Sequence, residues 1–168
     1  MAMYTVRIAR ADEWRRIKEL RLEALADPIA PVAFLERYEK AVAYPDSTWQ
    51  QRAAEGERQE DKATFVGEAA DGQWGGMLTV LVEGDRTQLV GVYMRPEHRG
   101  TGLAAQLFEA AREWSWARPE VRGIRLYVHE NNHRAAAFYR RQGFQATGGT
   151  DSCSSDPDYE MELLRASR

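Results

Sequence analysis

One stretch constrains this chain more than any other: Val92-Tyr93-Met94-Arg95-Pro96-Glu97-His98-Arg99-Gly100-Thr101-Gly102-Leu103-Ala104. Its opening residues predict a strand, Pro96 breaks it, a basic glycine turn follows, and a helix opens at Leu103 and runs to about Trp116. A helix N-terminus has unpaired N–H groups and a partial positive charge, so it can hold an anion. Gly100 and Gly102 allow a tight turn and the close approach of a phosphate, and Arg99, with Arg95 and His98 beside it, adds countercharge. Arg99–Ala104 is therefore a candidate diphosphate cradle. The pattern is neither a dinucleotide fingerprint, because Ala105 stands where a third glycine belongs, nor a P-loop, because no Gly-Lys-Ser/Thr follows. Alone, such a junction is often only a tight connection.

A second segment adds specificity. Ile124–Val128 reads as a strand from its β-branched and aromatic content, and His129-Glu130-Asn131-Asn132 leads into a helix from Arg134 to Gln142. Gly143 suits a left-handed residue after that helix, and Phe144 starts another strand. The pattern Asn132-x-x-Ala135-x-x-x-Tyr139-x-x-x-Gly143-Phe144 resembles the downstream signature of the GNAT acetyltransferase superfamily. Arg99-x-x-Gly102-x-Ala104 resembles that superfamily's coenzyme A diphosphate motif. The resemblance spans about Ala63 to Leu164.

It implies an α+β fold, a mixed and mostly antiparallel sheet flanked by helices, whose fourth and fifth strands splay into a V-shaped slot for acetyl-CoA. The diphosphate would rest on the amides of Arg99, Gly100, Thr101, Gly102, Leu103 and Ala104. The pantetheine arm would bond to Val92 and Met94 like an added strand, with an amide near Tyr93 or Met94 serving the oxyanion. Asn132 would contact the coenzyme arm, and Tyr139 would face the thioester sulfur as the catalytic donor to the leaving thiolate. The commoner roles of such residues are ring packing for a tyrosine and helix capping for an asparagine.

At 168 residues, 43% hydrophobic and 29% charged, the chain is expected to form a single domain over residues 1–168. A net charge of −3 argues against a nucleic-acid or anionic-membrane partner. No apolar run approaches the ~20 residues of a membrane span, and the N-terminus has no secretory core, so a cytoplasmic location is expected. The single cysteine, Cys153, excludes an internal disulfide, and His98, His129 and His133 lack metal-ligand spacing. No metal is expected. Strands at the C-terminal edge could pair two copies in a homodimer, though nothing requires it.

Tyr4–Ile8 alternates as a first strand, and Asp12 can cap a helix to about Ala26 that buries Trp14, Ile17, Leu20, Ala24 and Leu25. Pro28 and Pro31 end it. Phe34 to about Tyr44 predicts a shorter helix, Thr48-x-x-Gln51 a capping box for a third, and Glu55–Lys62 an exposed loop. Strands follow at Thr64–Ala70, Gly75–Glu83 and Gln88–Met94, with the last two at Phe144–Gly148 and Tyr159–Leu164 and a mobile loop over Gly148–Asp158.

An alkylamine titrates near ~10.4 and arrives protonated, so transfer to it needs a base or a water relay. Many relatives carry a glutamate on the fourth or fifth strand; the matching positions here are Gln88 and Tyr127. Glu83 and Glu68 are alternatives, and the base stays unassigned. Phe34, Tyr38, Tyr44 and Trp49, interspersed with Glu36, Glu39 and Asp46, would suit a small cationic amine if they line a wall. The expected activity is N-acetylation of a primary amine of a small molecule through a ternary complex. The alternatives are acetylation of a protein lysine or N-terminal amine, and an acyl-CoA-binding module without turnover.

Overall fold

The computed structural model describes residues 3–27, 37–151 and 158–166. In chain order the elements are β1 (Tyr4–Ile8), a 3-10 turn (Ala11–Glu13), α1 (Trp14–Ala26), α2 (Tyr38–Val42) and α3 (Asp46–Arg58). Then come β2 (Lys62–Ala69), β3 (Trp74–Glu83), β4 (Arg86–Met94), a second 3-10 turn (Pro96–His98) and α4 (Leu103–Trp116). The chain closes with β5 (Gly123–His129), α5 (His133–Arg141), β6 (Gln145–Asp151) and β7 (Asp158–Leu164).

The described strands form one sheet in the order β1-β2-β3-β4-β5-β7-β6. Only β4 and β5 run parallel, because α4 carries the chain across between them; every other neighbour pair is antiparallel. The fold is α+β, as the resemblance implies. Leu78, Val80, Leu89, Ile124, Leu126, Val128 and Met161 turn to one face and bury against Leu103, Leu107, Phe108 and Ala111 of α4. On the other face Leu20 and Ala24 of α1 cover Val66, Trp74, Met77 and Tyr93. Trp14 and Leu25 of α1 meet Ala41, Trp49 and Ala53 in a third cluster.

Two irregularities in β4 decide where a site can form. First, β4 and β5 are paired only over Arg86–Gln88 and Gly123–Arg125. Beyond that point they separate, and Leu89–Met94 makes no ladder pair with β5 among the described residues. Second, β3 pairs Thr79 with Val90 and Met77 with Tyr93, so Leu78 alone faces both Gly91 and Val92. Gly91 takes φ 62°, a left-handed conformation that lets the extra residue bulge and bends the strand.

Several local expectations are corrected. Asp12 is exposed and caps nothing; the buried Glu13 accepts the Arg10 amide at 2.9 Å and holds Arg7 in a two-pronged ion pair at 2.8 and 2.9 Å. The third helix starts at Asp46 after Pro45, and the Thr48 amide bonds to the Pro45 carbonyl, so Thr48 lies inside the first turn. The expected loop over Glu55–Lys62 shortens to residues 59–61: α3 continues to Arg58, with Trp49, Ala53 and Gly56 as a buried stripe, and β2 begins at Lys62. Strands β2 and β4 begin two residues earlier than expected, and β6 reaches Asp151. Pro28, Pro31, Phe34, Glu36 and Cys153 lie outside the described residues, as do residues 152–157 of the expected loop.

Candidate active site

The turn after β4 presents a run of backbone amides at the start of α4. Gly102 caps α4 with φ 89° and offers no side-chain oxygen to the first helical amides. The amides of Gly100 through Ala105 have no hydrogen-bond partner among the described residues. Both turn glycines are exposed, both have positive φ, and a Cβ on either would point into open space. Unpaired donors, an α-helix dipole and clear access are thus combined at one point.

The basic residues around this turn brace it. Arg99 donates through Nε to the Met94 carbonyl at 3.1 Å and through Nη2 to Asp27 at 3.2 Å, with its guanidinium 5.8 Å from the Tyr93 ring. Arg95 reaches Glu23 and the Trp74 carbonyl. His98 bonds through Nδ1 to the Tyr4 hydroxyl at 2.8 Å, and that hydroxyl donates to Thr101 Oγ1 at 3.1 Å. Thr101 in turn donates to the His98 carbonyl at 2.6 Å. Tyr4, from the first strand, therefore fixes a turn nearly a hundred residues downstream; no sequence signal pointed to it. Burial beside Asp27 and Glu23 also raises the Tyr93 hydroxyl above its ordinary pKa.

Along the open edge of β4, the Arg95 amide bonds to the Gly75 carbonyl of β3. Alternation then turns the polar groups of Met94 away from β3, toward the gap. Val92, Met94, Ala135 and Tyr139 all flank the cluster centred on α4. Tyr139 of α5 stacks on Phe108 with centroids 5.6 Å apart and packs against Phe144 at 6.4 Å. Its hydroxyl bonds to no described residue, and desolvation raises its pKa to about 12. Asn132 caps α5, accepting the Ala135 amide at 3.4 Å. Val92, Met94 and Tyr139 thus pack against the same cluster around α4, and Asn132 caps the helix that carries Tyr139.

With this geometry in view, comparisons are informative. The model of the "Acetyltransferase (GNAT) family" matches residues 15–144. The chain belongs to the GNAT acetyltransferase family. A streptothricin acetyltransferase of Escherichia coli is 43% identical over 54 residues, 32% of this chain and 30% of that protein. A protein of Bacillus subtilis (strain 168), named as a candidate ribosomal protein bS18-alanine N-acetyltransferase, is 31% identical over 78 residues. That match covers 46% of this chain and 51% of the relative, so about half or less of each curated relative is spanned. Among solved structures, the PaiA N-acetyltransferase from Thermoplasma acidophilum, crystallised with coenzyme A, superposes with a TM-score of 0.78 at 19% identity. The overlap takes in 97% of this chain and 99% of that one.

In this GNAT chain the face of the sheet away from α4 has its own polar group. Ile124, Leu126 and Val128 are buried on the helical side, so Arg125 and Tyr127 point the other way. The Tyr127 hydroxyl donates to Glu160 Oε2 of β7 at 3.0 Å, and Thr147 donates to Oε1 at 2.7 Å. Glu83 pairs with Arg125 at 3.3 Å, and the Gln88 amide, oriented to donate, reaches Glu83 at 2.8 Å. Glu68 is held by Arg7 at 3.0 Å on the β1–β2 side, two strands from the gap. Glu160 was not foreseen, because its relation to Tyr127 exists only through strand pairing. The aromatic wall also resolves differently: Trp49 is core, Tyr44 packs on it, Asp46 pairs with Lys18, and Tyr38 and Glu39 are exposed on α2.

Proposed function

We propose that the chain transfers the acetyl group of acetyl-CoA to a primary amine of a small molecule by direct attack in a ternary complex. The observation that carries this reading is the set of unpartnered amides at Gly100–Ala105, opening onto a β4 edge that β5 has left free. In this reading the coenzyme diphosphate occupies those amides, and the amide arm of pantetheine adds to Val92 and Met94 as a short strand. Residues 91 and 92, thrown outward by the bulge, leave room for the thioester, and the Met94 amide meets the oxyanion. Tyr139, protonated throughout the physiological range, hydrogen-bonds the departing sulfur, and the free carboxamide nitrogen of Asn132 holds the arm. The residues present fit the coenzyme because they offer donors where it is anionic and a packed wall where it is apolar.

The test is direct. Calorimetry is expected to show acetyl-CoA binding, and a panel of polyamines, aminoglycosides and arylalkylamines is expected to release coenzyme A. Binding without release under any acceptor would support the non-catalytic module instead. A second reading, acetylation of a protein N-terminal amine, is favoured by the similarity to the Bacillus subtilis relative. Turnover with an alanine-initiated peptide and none with small amines would select it.

A further inference from the structure

Resting on the amine-acetylation reading, we propose that Glu160 of β7 is the proton acceptor of the reaction, and that Tyr127 of β5 relays the proton to it. Neither Gln88 nor Tyr127, the residues on β4 and β5 beside the gap, is itself a base at neutral pH. Tyr127 is nevertheless wired to one. It stands opposite Glu160 in the β5–β7 register, and its hydroxyl donates to Glu160 Oε2 at 3.0 Å. Thr147 fixes the other oxygen at 2.7 Å, so the carboxylate is oriented from both flanking strands.

The position relative to the gap follows from the pairing. Gln88 and Arg125 form the last β4–β5 pair, and Leu126 points to the helical side. Tyr127 is therefore the first residue on the opposite face to stand beside unpaired space. A thioester in the gap would have Tyr139 on its helical side and the Tyr127–Glu160 pair on the other. The hydrogen-bond donor to sulfur and the acceptor of the amine proton then lie on opposite sides of the thioester.

The other carboxylates nearby are engaged. Glu162, next along β7 on this face, holds Arg86 at 2.8 Å, and Glu83 holds Arg125. Groups facing Glu160 are Tyr127 and Arg125 from β5 and Thr147 from β6, with Arg125 Nη1 at 3.8 Å. The Glu160 side chain is 20% exposed, enough to return a proton to water. In the step proposed, the acceptor ammonium gives a proton to the Tyr127 oxygen as the Tyr127 proton passes to Glu160. The freed lone pair forms the C–N bond, and the C–S electron pair leaves on sulfur. The nitrogen's surplus proton converts that thiolate to thiol, and Glu160 releases its own proton to solvent.

The experiment compares wild type, Glu160→Gln, Glu160→Asp and Tyr127→Phe with spermidine, kanamycin, phenethylamine and an alanine-initiated peptide across the pH range. Thermal unfolding and acetyl-CoA affinity are measured on each. Glu160→Gln is expected to lower kcat/KM roughly 100-fold at neutral pH, with coenzyme affinity unchanged. The deficit shrinks as pH rises toward each acceptor's own pKa, ~10.4 for a lysine-like alkylamine and ~8 for the peptide's α-amino group, because neutral amine then arrives unaided. Tyr127→Phe shows the same pH-dependent deficit, and Glu160→Asp recovers part of the rate. A folded Glu160→Gln with the wild-type profile overturns the proposal, as does a loss by the same factor at every pH. If Glu160→Gln fails to fold, Tyr127→Phe decides by the same criterion. A wild type that turns over no member of the panel removes the enzymatic reading, and this proposal with it.

Discussion

Arg99 and Met94 are joined across the end of β4: the guanidinium Nε donates to the Met94 carbonyl at 3.1 Å, while Nη2 holds Asp27 at 3.2 Å. The arginine that the motif marks for phosphate is thereby also the clamp between the strand edge and the turn. The clamp depends on its planar fork, which a lysine lacks, and so would a two-pronged phosphate contact. Arg99→Lys is accordingly expected to behave like Arg99→Ala, each weakening acetyl-CoA binding about tenfold, or ~1.4 kcal/mol. Calorimetry checks this; full affinity in Arg99→Lys would show that charge alone matters.

Gly102 should be the least replaceable residue of the turn. At φ 89°, with open space beyond its Cα, an alanine meets backbone strain and no protein clash. Gly102→Ala is expected to cost roughly 1–2 kcal/mol of folding stability. Its methyl group also enters the space in front of the helical amides, so acetyl-CoA affinity should fall by more than the strain alone explains. Unfolding curves and binding isotherms on the same sample separate the two effects.

For Tyr139, desolvation leaves the phenol protonated up to about 12. A fall in rate between neutral and mildly alkaline pH therefore cannot originate in its ionisation. Tyr139→Phe should reduce kcat roughly tenfold to 100-fold with little change in coenzyme affinity and no new limb in the pH profile. An unchanged kcat would assign the ring to packing on Phe108 alone.

Glu13 should contribute to acid stability. Its ion pair with Arg7 lowers its pKa from 4.5 to about 2. A carboxyl whose folded pKa is depressed stabilises fully above the unfolded value and loses that contribution as pH falls toward the folded one. The protein should therefore lose stability between pH 4.5 and about 2, and Glu13→Gln should flatten that part of the curve. Thermal unfolding across this window, compared with unfolding at neutral pH, is the measurement.

Much of this was legible in the residues themselves. The break at Pro96, the paired glycines and the apolar start of α4 are local signals, and each reports its structure wherever the chain lies. The buried face of α1 was readable from its spacing. The misreadings share one cause. Glu55–Lys62 is polar enough to suggest a loop throughout, yet α3 runs to Arg58 because Trp49, Ala53 and Gly56 bury one face, and a Cβ at Gly56 would come within 3.3 Å of Thr64 Oγ1. Glu13 rather than Asp12 became the buried acid because Arg7, on a neighbouring element, reaches it. Glu160 was invisible because its tie to Tyr127 depends on β7 inserting between β5 and β6, an arrangement no short stretch records.

The brief contact between β4 and β5 also has a mechanical meaning. Across the sheet, β1–β4 on one side and β5–β7 on the other are stitched by three residue pairs, with the Arg122 amide on the Asp85 carbonyl at 2.7 Å just beside them. A long, thin ligand lodged in that seam would lace the halves together, so saturation should slow amide exchange on both flanks at once and raise the melting temperature with concentration. The cargo would double as a missing thread of the fabric that carries it.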